Sequence, residues 1–267
     1  VNKSDITGKP LSDNLSRFVD TITDELSTVL GKIAQFGEVW IVGGAVRDAA
    51  MGISPIDIDL ATDLAPEMVL QLFPNSIKTG IEFGTVTVKS GRSLYQITTL
   101  RTEGNYHDNR RPDAVKWQSS LKADLERRDF TINSMAIDVG RRLFYDPHGG
   151  LMDIENRIIR SVGVAAKRIS EDSLRILRAY RFLGLQRKII WNFEPGLEKA
   201  INSNAFMLNN LPKERIWQEF RKILNTEQAN KILIKMINNG ILRLIFQREE
   251  KTQEKLLKAL EKSAELD

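Results

Sequence analysis

Two aspartates, Asp57 and Asp59, stand two residues apart in the strip VWIVGGAVRDAAMGISPIDIDLATD. On a strand, residues two apart share a face. Their carboxylates would project together while Ile56 and Ile58 turn toward a core. Two like charges held side by side are costly unless a cation lies between them. Hard oxygen donors of this kind suit Mg²⁺, which usually takes one or two carboxylates plus substrate phosphates. Upstream, Gly43 and Gly44 precede a short helix expected over residues 45–51, which carries Arg47. A glycine turn entering a helix offers backbone N–H groups to an anion. Each half alone describes an ordinary strand end or turn. Together they describe a site for a metal–nucleoside triphosphate.

A second cluster lies in ISEDSLRILRAYRF, residues 169–182. Ser170 is placed to cap a long helix over residues 171–185. On it, Asp172 and Arg175 are three apart and share a face, which permits a local ion pair. The same two side chains could instead template a base. Cytosine and adenine present an amino donor beside a ring acceptor on their pairing edges, whereas uracil and guanine present an acceptor beside an N–H donor. A carboxylate only accepts and a guanidinium only donates, so Asp172 with Arg175 fits C and A and opposes U and G. Arg178 and Arg181 continue along nearly the same face, within reach of phosphates.

Composition narrows the classes. The chain has 267 residues, no cysteine and two histidines, His107 and His148. Disulfides and thiolate metal sites are excluded, and a zinc site would need more soft or imidazole ligands. No apolar run reaches the length of a membrane span. The first residues, VNKSDITGKPLSDNL, lack the apolar core of a signal peptide; the cytoplasm is the expected location, with an organelle left open. A net charge of +4 and a pI near 9.2 lean mildly toward polyanionic partners.

The elements that must position these residues follow from periodicity. Residues 1–12 read as disordered, and residues 14–36 as one amphipathic helix. Strands are expected over 38–42, at the Asp57–Asp59 pair, and near 76–79, 85–89 and 94–100, with a helix from Pro66 to about residue 73. Residues 101–114, RTEGNYHDNRRPDA, read as a mobile loop. From residue 121 the chain turns mostly helical, with strand interruptions at 143–145 and 158–160. Helices follow at 195–203, 212–225 and 227–238, then a break at Gly240 and a charged helix from residue 249. The expected domains are an N-terminal extension and helix (1–37), a mixed α/β head (38–150), a helical neck (151–246) and a C-terminal helix (247–267).

The order GG-x-VRD, DID, ERRDFTINSMA, DPHGG, EDSLRILR and LPKERIWQEFRKIL resembles the class II tRNA nucleotidyltransferases (CCA-adding enzymes) and the related bacterial poly(A) polymerases, over about residues 38–246. The resemblance implies an α+β fold: a polymerase beta-like mixed-sheet head followed by an all-helical neck. It implies catalytic, metal-binding Asp57 and Asp59 with two Mg²⁺, and CTP and ATP as substrates. In ERRDFTINSMA it implies ribose and triphosphate contacts, with Arg128 on phosphate and Asp129 or Asn133 on a ribose hydroxyl or bracing the loop. The plainer reading makes Asp129 a helix cap. DPHGG (146–150) is assigned a bend or packing role, and residues 211–224 a supporting helix whose spacing favours core packing. The EDxxR motif, here Glu171, Asp172 and Arg175, implies selection of CTP and ATP.

The implied activity is CMP and AMP addition to the tRNA 3′ end without a nucleic-acid template. A-only, CC-only or poly(A) addition by the same family, and a catalytically weak tRNA-binding module, are the alternatives. The loop at 101–114 favours full CCA or A addition, because in this family such a loop accompanies addition of the terminal A. Two departures stand out. The family often has glutamate before Thr-Thr on the strand after the aspartate pair, where this chain has Gln96, which supplies no charge. Family members also usually continue into helical body and tail domains; the expectation here is either a truncated chain, with residues 247–267 as the start of a body domain, or an unusually compact enzyme.

Overall fold

The sheet that carries Asp59 is assembled from short strands whose apolar residues face a common core. In a computed structural model, residues 6–78, 80–81, 84–103, 115–117 and 120–246 are described. Strands β1 (Lys9–Pro10), β2 (Val39–Val42), β3 (Asp59–Thr62), β4 (Thr85–Ser90) and β5 (Ser93–Thr99) belong to this sheet. Strands β6 (Arg101–Glu103) and β7 (Val115–Trp117) form a separate antiparallel ladder, and β8 (Ala136–Asp138) and β9 (Leu143–Tyr145) return to the main sheet. Its order is β1-β9-β8-β2-β3-β5-β4, and only β3 and β5 run parallel. The mixed sheet of the expected head is therefore present. Trp40, Ile41, Leu60, Val86, Val88 and Ile97 are fully buried in it.

Helices α1 (Asp13–Asp20), α2 (Asp24–Ala34), α3 (Gly44–Ala50), α4 (Pro66–Leu72), α5 (Leu121–Glu126) and α6 (Gly150–Asn156) complete the first of two compact units, which ends at Asn156. The helix expected over 14–36 is two helices. The Thr21 hydroxyl bonds back to the carbonyls of Arg17 and Phe18, and Thr23 Oγ1 accepts from Leu26 N–H. Hydroxyls that compete with the backbone in this way end one helix and cap the next. Residues 1–12 are not wholly irregular, because Lys9 and Pro10 pair with Phe144 and Leu143 at the sheet edge. The strand expected near 76–79 reduces to one bridge, Ile77 to Thr87. Strand β8 was hidden in a stretch read as helical: its three residues are all buried, so no alternation marks it.

The second unit starts at Arg157. It contains β10 (Ile158–Ile159), α7 (Ala165–Glu171), α8 (Leu174–Phe182), β11 (Asn192–Phe193), α9 (Pro195–Asn204), α10 (Lys213–Leu224), α11 (Ala229–Asn238) and α12 (Ile241–Phe246). It is helical apart from β10 and β11, which pair in parallel. The single helix expected over 171–185 is broken at Asp172, whose backbone is extended (φ −151°), and Ser170 bonds back to Lys167 O instead of capping. Gly240 marks the expected break in the left-handed region (φ +70°), and α12 follows it directly. The charged helix from residue 249 lies outside the described residues, as does most of the 101–114 loop; Arg101–Glu103 within that loop are strand β6. Among the described residues no helix is long and apolar enough to cross a membrane.

Candidate active site

The head unit gathers its charged residues at the ends of β2 and β3. Val42 pairs with Asp59, so the chain that leaves β2 through Gly43 does so beside the residue that opens β3. Gly43 has φ +71° and ψ −131°, and a Cβ there would lie 2.8 Å from Arg128 Nη1. Both the positive φ and this approach require glycine. The Gly43 N–H donates to Met135 O at 3.2 Å. The N–H groups that α3 can offer an anion therefore begin at Gly44, by the geometry of a helix's first turn.

The two aspartates do not share one strand, contrary to expectation. Asp57 lies in a bend, and β3 begins at Asp59. Ile56 is 96 % exposed rather than turned to a core. The carboxylates nevertheless feel each other. Burial pushes the Asp59 carboxyl above its ordinary value, Arg128 pulls it back, and Asp57 pushes it up further. Asp59 still presents surface to solvent, so water or a small cation can reach it while protein crowds its other sides. Asp59 also stands in register with Gln96 of β5.

Arg128 is aimed by the residues beneath it. Its Nη2 bonds Asp124 Oδ2 at 3.0 Å and its Nη1 bonds Asn133 O at 3.3 Å. Asp124 is buried and also binds Arg127 at 2.6 Å. Burial opposes the Asp124 charge, yet Arg128 and Arg127 outweigh it and hold the carboxyl below its ordinary value. Sequence reasoning missed Asp124. The available signal is an acid on the buried face of α5, between Leu121 and Leu125. Arg47 bonds Asn133 Oδ1 at 2.6 Å and Asp48 at 2.7 Å. Asp129 Oδ1 accepts from Phe130 N–H and Asn133 Nδ2, so this oxygen braces its own loop. Asp146 caps α6 through the N–H groups of Gly150 and Leu151. A Cβ on Gly150 would meet Thr131 O at 2.3 Å, which supports the packing role expected of DPHGG.

In the helical unit the structure rearranges the expected pairing. Asp172 and Arg175 do not share a helix face, and each is held by another residue. Asp172 Oδ1 accepts from Leu174 N–H at 3.1 Å, and Oδ2 accepts from Arg215 Nη2 at 2.9 Å. Arg175 Nη1 donates to Glu171 Oε2 at 2.8 Å and to Arg168 O at 2.9 Å. Burial resists the Glu171 charge, but Arg175 and Arg168 together hold its carboxyl below the ordinary value. Arg178 and Arg181 both face Glu219 of α10, at 4.0 and 2.7 Å, and Arg181 lies over the Phe182 ring at 4.1 Å. Glu219 is buried; its burial penalty is outweighed by Arg181 and Arg178, which keep it ionised.

Arg215 and Glu219 were assigned to a packing helix on sequence alone. The helix does pack, through Ile216, Phe220 and Ile223. The signal for Glu219 is an acid at a position of that apolar stripe, because a lone buried charge needs partners.

Residues 39–160 match the family described as Poly A polymerase head domain, and residues 192–252 match the Probable RNA and SrmB-binding site of polymerase A. A CCA-adding enzyme of Geobacillus sp. (strain WCH70) is 42% identical over 214 residues, 80% of this chain and 52% of the relative. The crystal structure of the Bacillus stearothermophilus CCA-adding enzyme in complex with CTP superposes with TM-score 0.73 at 37% identity, covering 82% of this chain and 53% of that one. The Thermotoga maritima CCA-adding enzyme complexed with tRNA gives TM-score 0.73 at 25% identity, covering 90% and 58%. The chain thus spans about half the length of the curated relatives it matches. Carrying both the head and the RNA-binding segment in order, at 42% identity to a CCA-adding enzyme, the chain belongs to the tRNA nucleotidyltransferase and poly(A) polymerase family.

Proposed function

We propose that this chain transfers CMP and AMP from CTP and ATP to the 3′ end of tRNA without a nucleic-acid template, in the cytoplasm. The observation that carries the proposal is that Asp59 pairs with Val42 beside the glycine turn at Gly43, where Arg128 also lies, with Asp57 close enough to push the Asp59 carboxyl up. That is a pair of acids for a cation beside donors for a triphosphate.

The donor set fits Mg²⁺. Asp57 adds to the cost of ionising Asp59, and a divalent cation would remove it. Among the described residues no group of three or more His, Cys, Asp or Glu gathers to hold a metal. Asp57 and Asp59 would thus be the charged ligands, with phosphate and water completing the shell. Mg²⁺ there supplies Lewis acidity toward the attacking hydroxyl and the phosphates.

The chain's own residues do the rest. Arg128, fixed by Asp124, and Arg47, fixed by Asn133 and Asp48, neutralise phosphate charge. Gly43 lets the backbone approach closely, and Gly44 begins the N–H groups of α3. Asp172 accepts from the amino group of C or A while Arg175 donates to the ring acceptor. Within the second unit, Arg178 and Arg181 offer guanidinium donors suited to a ribose or a phosphate. The 3′ hydroxyl oxygen then bonds the α-phosphorus as its proton passes to water, the bond from the α-phosphorus to the oxygen bridging to the β-phosphate breaks, and pyrophosphate leaves. Positioning and charge neutralisation carry such transfers, with no covalent intermediate on the protein.

The test is a tRNA lacking its CCA end, given Mg²⁺ and CTP alone, ATP alone, or both. Two C additions with CTP and a further A with both support the proposal. A long A tail on any RNA with ATP alone replaces it with poly(A) addition. RNA binding without any incorporation replaces it with a binding module.

A further inference from the structure

We infer that Arg215 is a positioning residue for base selection: it fixes the plane of the Asp172 carboxylate and keeps Asp172 from pairing with Arg175. This rests on the proposed base-reading role of Asp172 and Arg175.

The argument starts from the break between α7 and α8. Asp172 sits in extended backbone between the two helices, so no helical turn fixes its side chain. Two bonds do, one to each oxygen: Leu174 N–H on Oδ1 and Arg215 Nη2 on Oδ2. Two anchors on two different oxygens define the orientation of a planar group, where one would leave it free to rotate. An ionised carboxylate has about four acceptor sites, so these two bonds leave acceptor capacity for a base amino group. Arg215 has no acceptor and cannot compete for that amino group.

The second part concerns charge. Arg175, three residues on, is the nearest cation in sequence to Asp172. If the two paired with each other, each would satisfy the group the base must satisfy, and the template would be lost. The structure keeps them apart with a separate counter-ion each: Glu171 for Arg175, and Arg215 for Asp172. Arg215 and Glu219 are one turn apart on α10. The same helix edge thus offers a cation to the acceptor Asp172 and an anion to the donors Arg178 and Arg181. Arg215 is partly buried, with a side-chain exposure of 20%, so its bond to Asp172 is shielded from water more than a surface pair.

The test is equilibrium binding of CTP, ATP, UTP and GTP to the chain and to R215Q, R215K, D172A, D172N and D172N/R215Q. Losing a hydrogen bond to a charged group weakens an interaction by about ten- to a hundredfold. R215Q should weaken CTP and ATP by about tenfold, leave UTP and GTP within about twofold, and be largely rescued in R215K, where a cation returns. In the D172N background R215Q should cause no further change, because the charge it positions is gone. If D172A narrows the CTP-to-UTP ratio while R215Q leaves it unchanged, the inference fails and base reading stands. If R215Q weakens all four nucleotides equally, or still acts in the D172N background, Arg215 is structural and the inference fails. If D172A itself leaves the ratio unchanged, base reading by Asp172 fails, and the inference with it.

Discussion

Gln96 stands directly beside Asp59 across the parallel β3–β5 pair, with Thr87 of β4 on its other side. Paired residues on neighbouring strands project to the same face, and both Asp59 and Gln96 present surface to solvent. A carboxylate at position 96 would therefore join the acids flanking Asp59. The amide that is present offers an oxygen but no charge. Gln96→Glu is expected to lower the Mg²⁺ concentration for half-maximal nucleotide transfer, because a third charge strengthens a hard-cation site. A Mg²⁺ titration of initial rate checks this; an unchanged midpoint removes position 96 from the metal site.

The same geometry predicts a cost for the empty-handed acid pair. Asp59 has its carboxyl raised by burial and by Asp57, against the pull of Arg128. A carboxyl raised on folding penalises the fold above its folded pKa, and the penalty vanishes below the unfolded value of 3.8. Asp59→Asn should therefore raise the Tm at neutral pH without divalent cation, and the gain should shrink as the pH falls toward 4. The same substitution, like Asp57→Ala, should abolish transfer while the circular dichroism spectrum stays native. Transfer at the wild-type rate in either variant would remove the metal assignment.

Buried acids with guanidinium partners behave in the opposite sense. Glu219 and Asp124 have their carboxyls held low, against burial, by Arg181 and Arg178 and by Arg128 and Arg127. Such groups stabilise the fold above the unfolded carboxylate pKa, and that stability is lost as the pH falls through their lower folded values. Glu219→Gln should destabilise the chain at pH 7 by about 3 kcal/mol, the scale for removing one partner of a buried pair. The loss of stability on acidification should be shallower than in wild type. Urea unfolding at pH 7 and at pH 4 measures both. Equal pH slopes in the two proteins would mean that the Glu219 carboxyl is not held below its unfolded value in the fold.

These relationships explain what the sequence could and could not disclose. The positive φ at Gly43 was legible in its residue type, and the nearness of Asp57 to Asp59 in their spacing, although not the bend that keeps them off one strand. Val42, the residue before Gly43, comes to lie beside Asp59 because the chain passes through α3 and returns as the antiparallel neighbour of β2. The register of Asp59 with Gln96 was not legible, because a parallel pairing across the intervening helix is a tertiary choice. The break at Asp172 was hidden for a different reason. ISEDSLRILRAYRF has unbroken helical periodicity, and the Asp172 side chain leaves the helix with two bonds, from Leu174 N–H to Oδ1 and from Arg215, 43 residues away, to Oδ2. Periodicity records which residues are apolar; it does not record which polar side chain finds a distant partner. For the same reason Arg215 and Asp124 were invisible as site residues, although the buried-face acids Asp124 and Glu219 carried a signal in their position.

The sharpest remaining prediction concerns Asp172. An Asp acceptor beside an Arg donor fits the amino group and ring acceptor of C and A, and opposes the carbonyl and N–H of U and G. Asp172→Ala removes the acceptor and leaves both Arg175 and Arg215 as donors. Arg175 keeps its anchor on Glu171, so it stays in place to meet a carbonyl instead. Losing a buried hydrogen bond to a charged group costs about 1.5–3 kcal/mol. CTP and ATP use should fall by about ten- to a hundredfold, while use of UTP and GTP should hold or rise, since a repulsive carboxylate has gone. Single-nucleotide incorporation onto one tRNA with each triphosphate in turn gives the four rates. Selectivity would then be seen to come from a donor and an acceptor kept apart by their own counter-ions. A uniform fall across all four nucleotides would instead make Asp172 a residue that shapes the α7–α8 junction through Leu174 and Arg215 and reads nothing.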